Sequence, residues 1–284
     1  MAQFTNQAQL SYQNTVINSN VVVGEILEVV SGNKTAIEGT YSADGTVTYA
    51  ISLVNAGNTA ITGLTVTDDL GAYEQGTETR VPLSYVNGSV KLFVNGVLQA
   101  APTVTTTPTL TFGGITLPAN SDLVLIYTAQ VNGFAPLGVD GSIVNTATVT
   151  GNGIPTPITV TETVTPTQEA QLRITKSVEP VPVTENGTLT YRFVIENFGN
   201  VPAVATDNVA LSDLFDPILS GVAVSLDGVT WTEGVQYIYN DATGQFNTVP
   251  GQITVPAATY TQDIATGIWS VTPGVTVLTV SGTV

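Results

Sequence analysis

Along much of this 284-residue chain, apolar residues fall at every second position. Val47, Tyr49, Ile51 and Leu53 alternate with polar or small residues, and so do Leu189, Tyr191, Phe193 and Ile195. A period of two buries one face of a strand and leaves the other in water. No stretch sustains the 3.6-residue period of a helix. The segments between these runs carry turn chemistry, in Asn55-Ala-Gly-Asn58 and Asn197-Phe-Gly-Asn200. Residues 86–96 predict a strand held between two Asn-Gly turns. The pattern predicts an all-β sandwich protein.

The pattern also repeats. Gly45-Thr-Val-Thr-Tyr49 matches Gly187-Thr-Leu-Thr-Tyr191, 142 positions on, and the two Asn-x-Gly-Asn turns share that offset. Leu64-Thr-Val-Thr-Asp68 matches Val209-Ala-Leu-Ser-Asp213 after a three-residue insertion, and Ile115–Ala119 matches Ile253–Ala257. Leu123–Tyr127 matches Thr276–Val280. The repeat predicts three parts: an N-terminal arm over residues 1–23, a first module over 24–165 and a second over 166–284.

The two modules differ at their ends. Ile143-Val-Asn-Thr-Ala-Thr-Val149 in the first has no counterpart in the second, where Val284 aligns with Val131. A segment of the same alternation, Phe4-Thr-Asn-Gln-Ala-Gln-Leu10, stands in the arm. The second module is expected to lack its final strand, and the arm to be a spare copy of it. That combination predicts β-strand addition between copies, with Phe4, Asn6, Ala8, Leu10 and Tyr12 as the inserted side chains. Donor and acceptor surfaces differ, so such a contact generates an open head-to-tail polymer unless it closes into a ring.

Composition removes other functions. The formal charge is −16, from 6 basic and 22 acidic residues, which argues against nucleic-acid and anionic-membrane partners. There is no cysteine and no histidine, so disulfides, most nucleophilic triads and the common transition-metal sites are excluded. Asp207-Asn208 and Asn240-Asp241 could hold calcium, but as turn residues they need no ion; no metal or cofactor is expected. Trp231 and Trp269 are candidate exposed aromatics of an adhesive surface, with core packing the plainer reading. The opening residues lack the basic and apolar regions of a secretory signal, which leaves a removed leader or an unconventional export route.

The recurring Lys…Gly-x-x-x-Tyr-x-x-x-x-x-Asn-x-Gly-Asn…Asp…Asn-x-Ala pattern resembles the conserved repeat domain of unknown function found in Gram-positive and other bacterial surface proteins. The resemblance covers nearly the whole chain, twice. It implies immunoglobulin-like sandwiches in extracellular arrays, on a cell or spore surface, and no catalysis on outside substrates.

Side-chain parity adds chemistry. The chain has three lysines, and two of them, Lys34 and Lys176, occupy the same repeat position. Lys176 keeps phase with Leu172, Ile174 and Val178, which puts an ammonium on an apolar face. Asp68 keeps phase with Leu64 and Val66, Asp213 with Val209 and Leu211, Asn145 with Ile143 and Ala147, and Asn6 with Phe4 and Ala8. Asp69 rivals Asp68, because a one-residue slip exchanges their faces. Buried charges of this kind are paired or neutralised. One reading is a buried Lys–Asp salt bridge satisfied by Asn. The other is a reaction: burial favours the free amine and the protonated acid, the amine is a nucleophile, and the acid shuttles a proton. The product is a Lys–Asn isopeptide bond. This arrangement is similar to the self-crosslinking domains of Gram-positive pilins and adhesins. It implies Lys34–Asn145 within one chain and Lys176–Asn6 between chains, with Asp68 and Asp213 as proton shuttles. The sequence is thus read as a subunit of an extracellular filament, the alternative being a surface adhesin with structural salt bridges and no polymerisation.

Overall fold

The computed structural model describes residues 2–107 and 109–284; Met1 of the expected arm and Pro108 lie outside them. Among the described residues the regular structure is strand, apart from one short 3-10 turn at Ala205–Asp207. Two compact units form. One holds the residues up to Ala135 together with Ser142–Thr165, and the other holds Pro136–Gly141 together with Pro166–Val284.

In the first unit one sheet runs, in order, Val97–Leu98, Lys91–Val94, Ser121–Val131, Thr46–Asn55 and Val30–Ala36. The second sheet runs Thr103–Thr105, Leu110–Leu117, Ile61–Asp68, Ile143–Asn152, Ile158–Pro166 and Thr40–Tyr41. The alternating residues meet between them. Val47, Tyr49, Ile51 and Leu53 from one sheet, and Leu64, Val66, Phe112, Ala147 and Val149 from the other, are all 0% exposed. Each such aliphatic side chain contributes roughly 1.5–3 kcal/mol through its removal from water.

The second unit repeats the order of the first sheet in five strands, Val229–Thr230, Ser220–Leu226, Gly274–Thr283, Thr188–Asn197 and Leu172–Glu179. Among the described residues it has no separate counterpart of Leu83–Tyr85, the sixth strand of the first, which pairs with Ser121–Val131. Its second sheet is smaller: Ser212–Leu214, Gln245–Thr248 and Tyr237–Asn240. Tyr191, Phe193, Phe215, Phe246 and Trp231 fill the core between them. Trp231 is therefore a packing residue, while Trp269 lies half-buried on Trp269–Thr272.

The shared Asn-x-Gly-Asn turns do the same work twice. Buried Asn55 donates to the carbonyls of Thr59 and Pro118 and accepts from Gly57 N–H. Buried Asn197 donates to Val201 and Pro256 and accepts from Gly199 and Gln171 N–H. Each clamps a turn to the loop across from it, and a smaller side chain would orphan several buried backbone groups.

The difference between the units lies beside the aspartates. Ile61–Asp68 is paired on both sides, with Leu110–Leu117 and with Ile143–Asn152. Ser212–Leu214 pairs only with Gln245–Thr248 among the described residues. The first unit then carries one strand more than the sequence reading counted, Ile158–Pro166, paired to Ile143–Asn152. The described residues of the second unit thus lack counterparts of two adjacent strands.

Residues 2–26 form a two-stranded antiparallel ribbon. Ala2–Asn6 pairs with Val22–Ile26, and Gln9–Tyr12 with Thr15–Asn18. Gln13 and Asn14 turn it with φ of 48° and 63°, the doubly left-handed pair that a tight hairpin requires. The ring of Phe4 lies over Gly24, where a Cβ would come within 2.3 Å of it. The apolar residues of the ribbon are otherwise open to water: Phe4 is 50% exposed, and Leu10 and Tyr12 are each 64% exposed.

Candidate functional site

Lys34, Asp68 and Asn145 meet inside the first unit. Val30–Ala36 edges one sheet and aims Lys34 inward; Ile61–Asp68 and Ile143–Asn152 are neighbours in the other and present Asp68 and Asn145 to it. Lys34 is 2% exposed, and Asp68 and Asn145 are each 0% exposed. Lys34 Nζ lies 2.7 Å from Asp68 Oδ2 and stands over the Tyr49 ring. The same carboxylate oxygen accepts from the Tyr127 hydroxyl at 2.7 Å, and that hydroxyl accepts from Asn145 Nδ2 at 3.0 Å. A continuous chain of hydrogen bonds therefore links the lysine amine, Asp68, Tyr127 and the amide nitrogen of Asn145, with both ends donating toward the carboxylate. Because Tyr127 spends its one proton on Asp68, the asparagine must present its NH2 to the tyrosine, which fixes the amide orientation.

Asp68 and Asp69 separate cleanly. Asp68 faces Lys34, and its second oxygen accepts from Leu70 N–H at 2.9 Å. Asp69 instead holds backbone, accepting from Gly71 N–H at 2.8 Å and Thr146 N–H at 2.9 Å. Burial pushes the Asp69 carboxyl up, against the pull of those bonds. Burial also holds the Lys34 pKa below its ordinary 10.5, outweighing the attraction of Asp68. Burial raises the Tyr127 hydroxyl well above its ordinary 10.0, with the Asp68 charge adding to the shift.

Two buried polar atoms in this cluster make no hydrogen bond, the Tyr49 hydroxyl and Asn145 Oδ1. They lie near enough for the amide to temper the raised Tyr49 pKa. A buried polar atom left wholly unpartnered costs roughly 1–3 kcal/mol, and the nearby amide lightens that cost for Tyr49. The site so combines an amine tuned toward its neutral form, an amide with a free carbonyl oxygen, and a proton path between them.

Sequence parity missed Tyr127 and Tyr49. Both signals were present, since Tyr127 alternates with Leu123 and Leu125, and the tyrosines are directly opposite in the ladder, with rings stacked at 5.6 Å. Hydroxyls in an otherwise aliphatic stripe, lying between an aspartate and an asparagine, are the mark of a polar network.

In the second unit the copy is open. Lys176 pairs with Asp213 and sits 4.7 Å from the Tyr191 ring centroid and 5.4 Å from that of Phe215. The side chain of Lys176 is 41% exposed and that of Asp213 18%, against 0% for both members of the first pair. Val280 replaces Tyr127 in the repeat, and the described residues of this unit bring no asparagine to the pair. Beside it runs a groove of about 330 Å³, lined by Leu172, Ile174, Ile195, Val209, Leu211 and Ile253. Ile174 is 55% exposed and Leu214 60%. Asn6, the expected partner, lies on the ribbon. The calcium candidates serve their turns: Asp207 accepts from Val204 N–H, and Asn240 from Ala242 N–H.

No protein-family model matches the chain, and no curated protein matches it in sequence. Solved structures similar to it include the pilus backbone RrgB of Streptococcus pneumoniae, at 13% identity and a TM-score of 0.35, covering 86% of this chain and 55% of that one. The full-length major pilin SpaD of Corynebacterium diphtheriae matches at 12% identity and a TM-score of 0.36, over 78% of this chain and 50% of that one. The collagen adhesin CNA of S. aureus matches at 12% identity and 0.30, over 55% of each chain. The chain spans about half the length of these three. Superpositions this loose carry no functional argument, which rests on the residues.

Proposed function

We propose that the chain is a structural subunit of a filament on a bacterial cell or spore surface, joined head to tail through its N-terminal arm and locked by Lys–Asn isopeptide bonds. The observation that carries this reading is the match between an open groove and a spare strand. Ile143–Asn152 lies beside Asp68 in the first unit, no described strand takes that place beside Asp213 in the second, and the arm repeats the missing strand with Asn6 in the place of Asn145. An apolar groove with an unpaired strand edge is an acceptor for an added strand. The partner is a second copy of the chain.

The bond forms without an external reagent. The free amine of Lys34 adds to Cγ of Asn145 and gives its proton to Asp68. As Nδ2 becomes basic the Tyr127 hydroxyl turns from accepting to donating, protonates Nδ2 and is reprotonated by Asp68. The Cγ–Nδ2 bond breaks, ammonia leaves, and the Nζ–Cγ amide remains. At the joint Lys176 adds to Cγ of Asn6 of the neighbouring copy; with Val280 in place of Tyr127, Asp213 alone takes the proton from the amine and hands it to Nδ2, and ammonia leaves. The ion pair Lys34–Asp68, at 2.7 Å, equally suits a structural salt bridge, and mass decides between them.

Purified protein is expected to form fibres on electron micrographs, and deletion of residues 1–12 to abolish them. A chain that stays monomeric at high concentration overturns the reading. Oligomers that survive boiling in SDS, and that Asn6→Ala or Lys176→Ala removes, establish the intersubunit bond. Intact mass is expected to show loss of one ammonia for the Lys34–Asn145 bond, and an unchanged mass eliminates it.

A further inference from the structure

We infer that the arm docks as a hairpin rather than as a single strand, filling both open strand positions of the neighbouring second unit, with Ser19 set against Ile174. This rests on the head-to-tail reading proposed above and specifies the shape of the joint.

The first unit supplies the template. Its Ile143–Asn152 is backed by Ile158–Pro166 in a fixed register, with Val149 opposite Ile158, Ala147 opposite Val160, Asn145 opposite Glu162 and Ile143 opposite Val164. The arm reproduces this ladder about its own copy of the strand. Leu10 stands opposite Ile17, Ala8 accepts from Ser19 N–H at 2.9 Å, Asn6 stands opposite Val22 and Phe4 opposite Gly24. The arm turns more tightly, at Gln13–Asn14, with two residues fewer between Leu10 and Ile17 than between Val149 and Ile158 of the template, whose strands are joined over residues 153–157. One extra residue between Ser19 and Val22 is absorbed as a bulge, where Ala8 N–H bonds to Ser19 Oγ at 2.9 Å. A single inserted strand would leave Leu172 and Ile174 bare; a hairpin covers them.

Volume exchange supports the fit. In the first unit the return strand packs on Gly32, whose missing Cβ would lie 3.2 Å from Val160 and 3.3 Å from Ile158. In the second unit the position of Gly32 is Ile174, 55% exposed. In the arm the position of Val160 is Ser19. At the Val160 position a small residue against a large one has become a large residue against a small one, while Ile17 keeps the side chain of Ile158. Likewise Glu162, whose charge acts on Lys34, corresponds to apolar Val22, suited to roof Lys176 and Leu172.

The chain path agrees as well. After the return strand of the first unit, Val164 is followed by the next lysine, Lys176, at a separation of 12; after the arm, Gly24 is followed by Lys34 at a separation of 10. The arm is thus joined to its own first unit as that unit's last strand is joined to the second.

The absence of cysteine allows a direct test by disulfide trapping in the full chain. A Ser19→Cys, Ile174→Cys double variant, assembled from isotopically light and heavy copies and oxidised, is expected to yield a reducible link between positions 19 and 174 joining light to heavy chains, absent from either single variant. The control pair Gln9→Cys, Ser212→Cys reports the outgoing strand alone, because Thr148 stands opposite Thr67 in the first unit. Fibres that link 9 to 212 and never 19 to 174 overturn the hairpin and leave the head-to-tail reading standing. Absence of both links and of fibres overturns both. A link confined to chains of one isotope overturns the neighbouring copy as the occupant.

Discussion

The Tyr127 hydroxyl donates to Asp68 at 2.7 Å and accepts from Asn145 at 3.0 Å, so one phenol ties the acid of the site to its amide. Tyr127→Phe keeps the ring stacked on Tyr49 while breaking the chain of hydrogen bonds. Ammonia loss measured by intact mass after refolding is expected to slow by about 100-fold, the low end of what a positioned proton-transfer group contributes. Near-normal rates would remove Tyr127 from the path.

The neighbouring aspartates are expected to fail differently. Asp68→Asn leaves Lys34 in the core without its counter-charge, a change of roughly 3–5 kcal/mol for a buried pair broken on one side, and abolishes crosslinking. Asp69→Asn weakens the bonds to Gly71 and Thr146 at about 1 kcal/mol and leaves the bond forming. Denaturant titration and intact mass together separate them; equal effects would contradict the geometry.

The lowered Lys34 pKa sets a pH dependence. The folded chain releases a proton that the unfolded chain holds until 10.5, so an uncrosslinked variant such as Asn145→Ala gains stability as pH rises from the folded value toward 10.5. Tyr127 acts oppositely: its hydroxyl is held above 10.0, so its contribution is present below pH 10.0 and lost above it. Melting temperature is expected to rise with pH and then fall at the alkaline end. In the wild-type chain the crosslinking rate is expected to climb with pH below 10.5 as free amine accumulates; a flat profile would show that the amine is not the titrating reactant.

Asn55→Ala and Asn197→Ala are expected to cost about 3 kcal/mol each, since either removes several bonds to buried backbone. A change below about 1 kcal/mol in either unit would mean water replaces the side chain.

The strands, the repeat and the inward aspects of Lys34, Asp68 and Asn145 were legible because period-two alternation records which face is buried. The second strand, Ile158–Pro166, escaped notice because its module-two counterpart does not exist among the described residues, leaving no repeat to align. Tyr127 escaped for a related reason: Val280 stands at its place, so comparison of the halves marks it as a replaceable hydrophobe. The pairing of the arm with itself was hidden because its return half, Thr15–Ile26, matches the first unit in ladder position and hardly at all in letters.

The placement of Lys34 near the start of its unit and Asn145 near the end has a mechanical consequence. With the bond formed, tension entering at Val30 crosses from Lys34 to Asn145 and leaves through Ile158–Pro166, so residues 35–144 hang outside the strained path. At the joint the same route runs from Leu172 to Lys176, across to Asn6, round the Gln13–Asn14 turn and out at Ile26. A pulled fibre is then expected to resist extension while most of its sandwiches carry no force; single-molecule stretching of Lys34→Ala chains is expected to restore the long unfolding step that the bond forbids, and Lys176→Ala chains are expected to part at the joint.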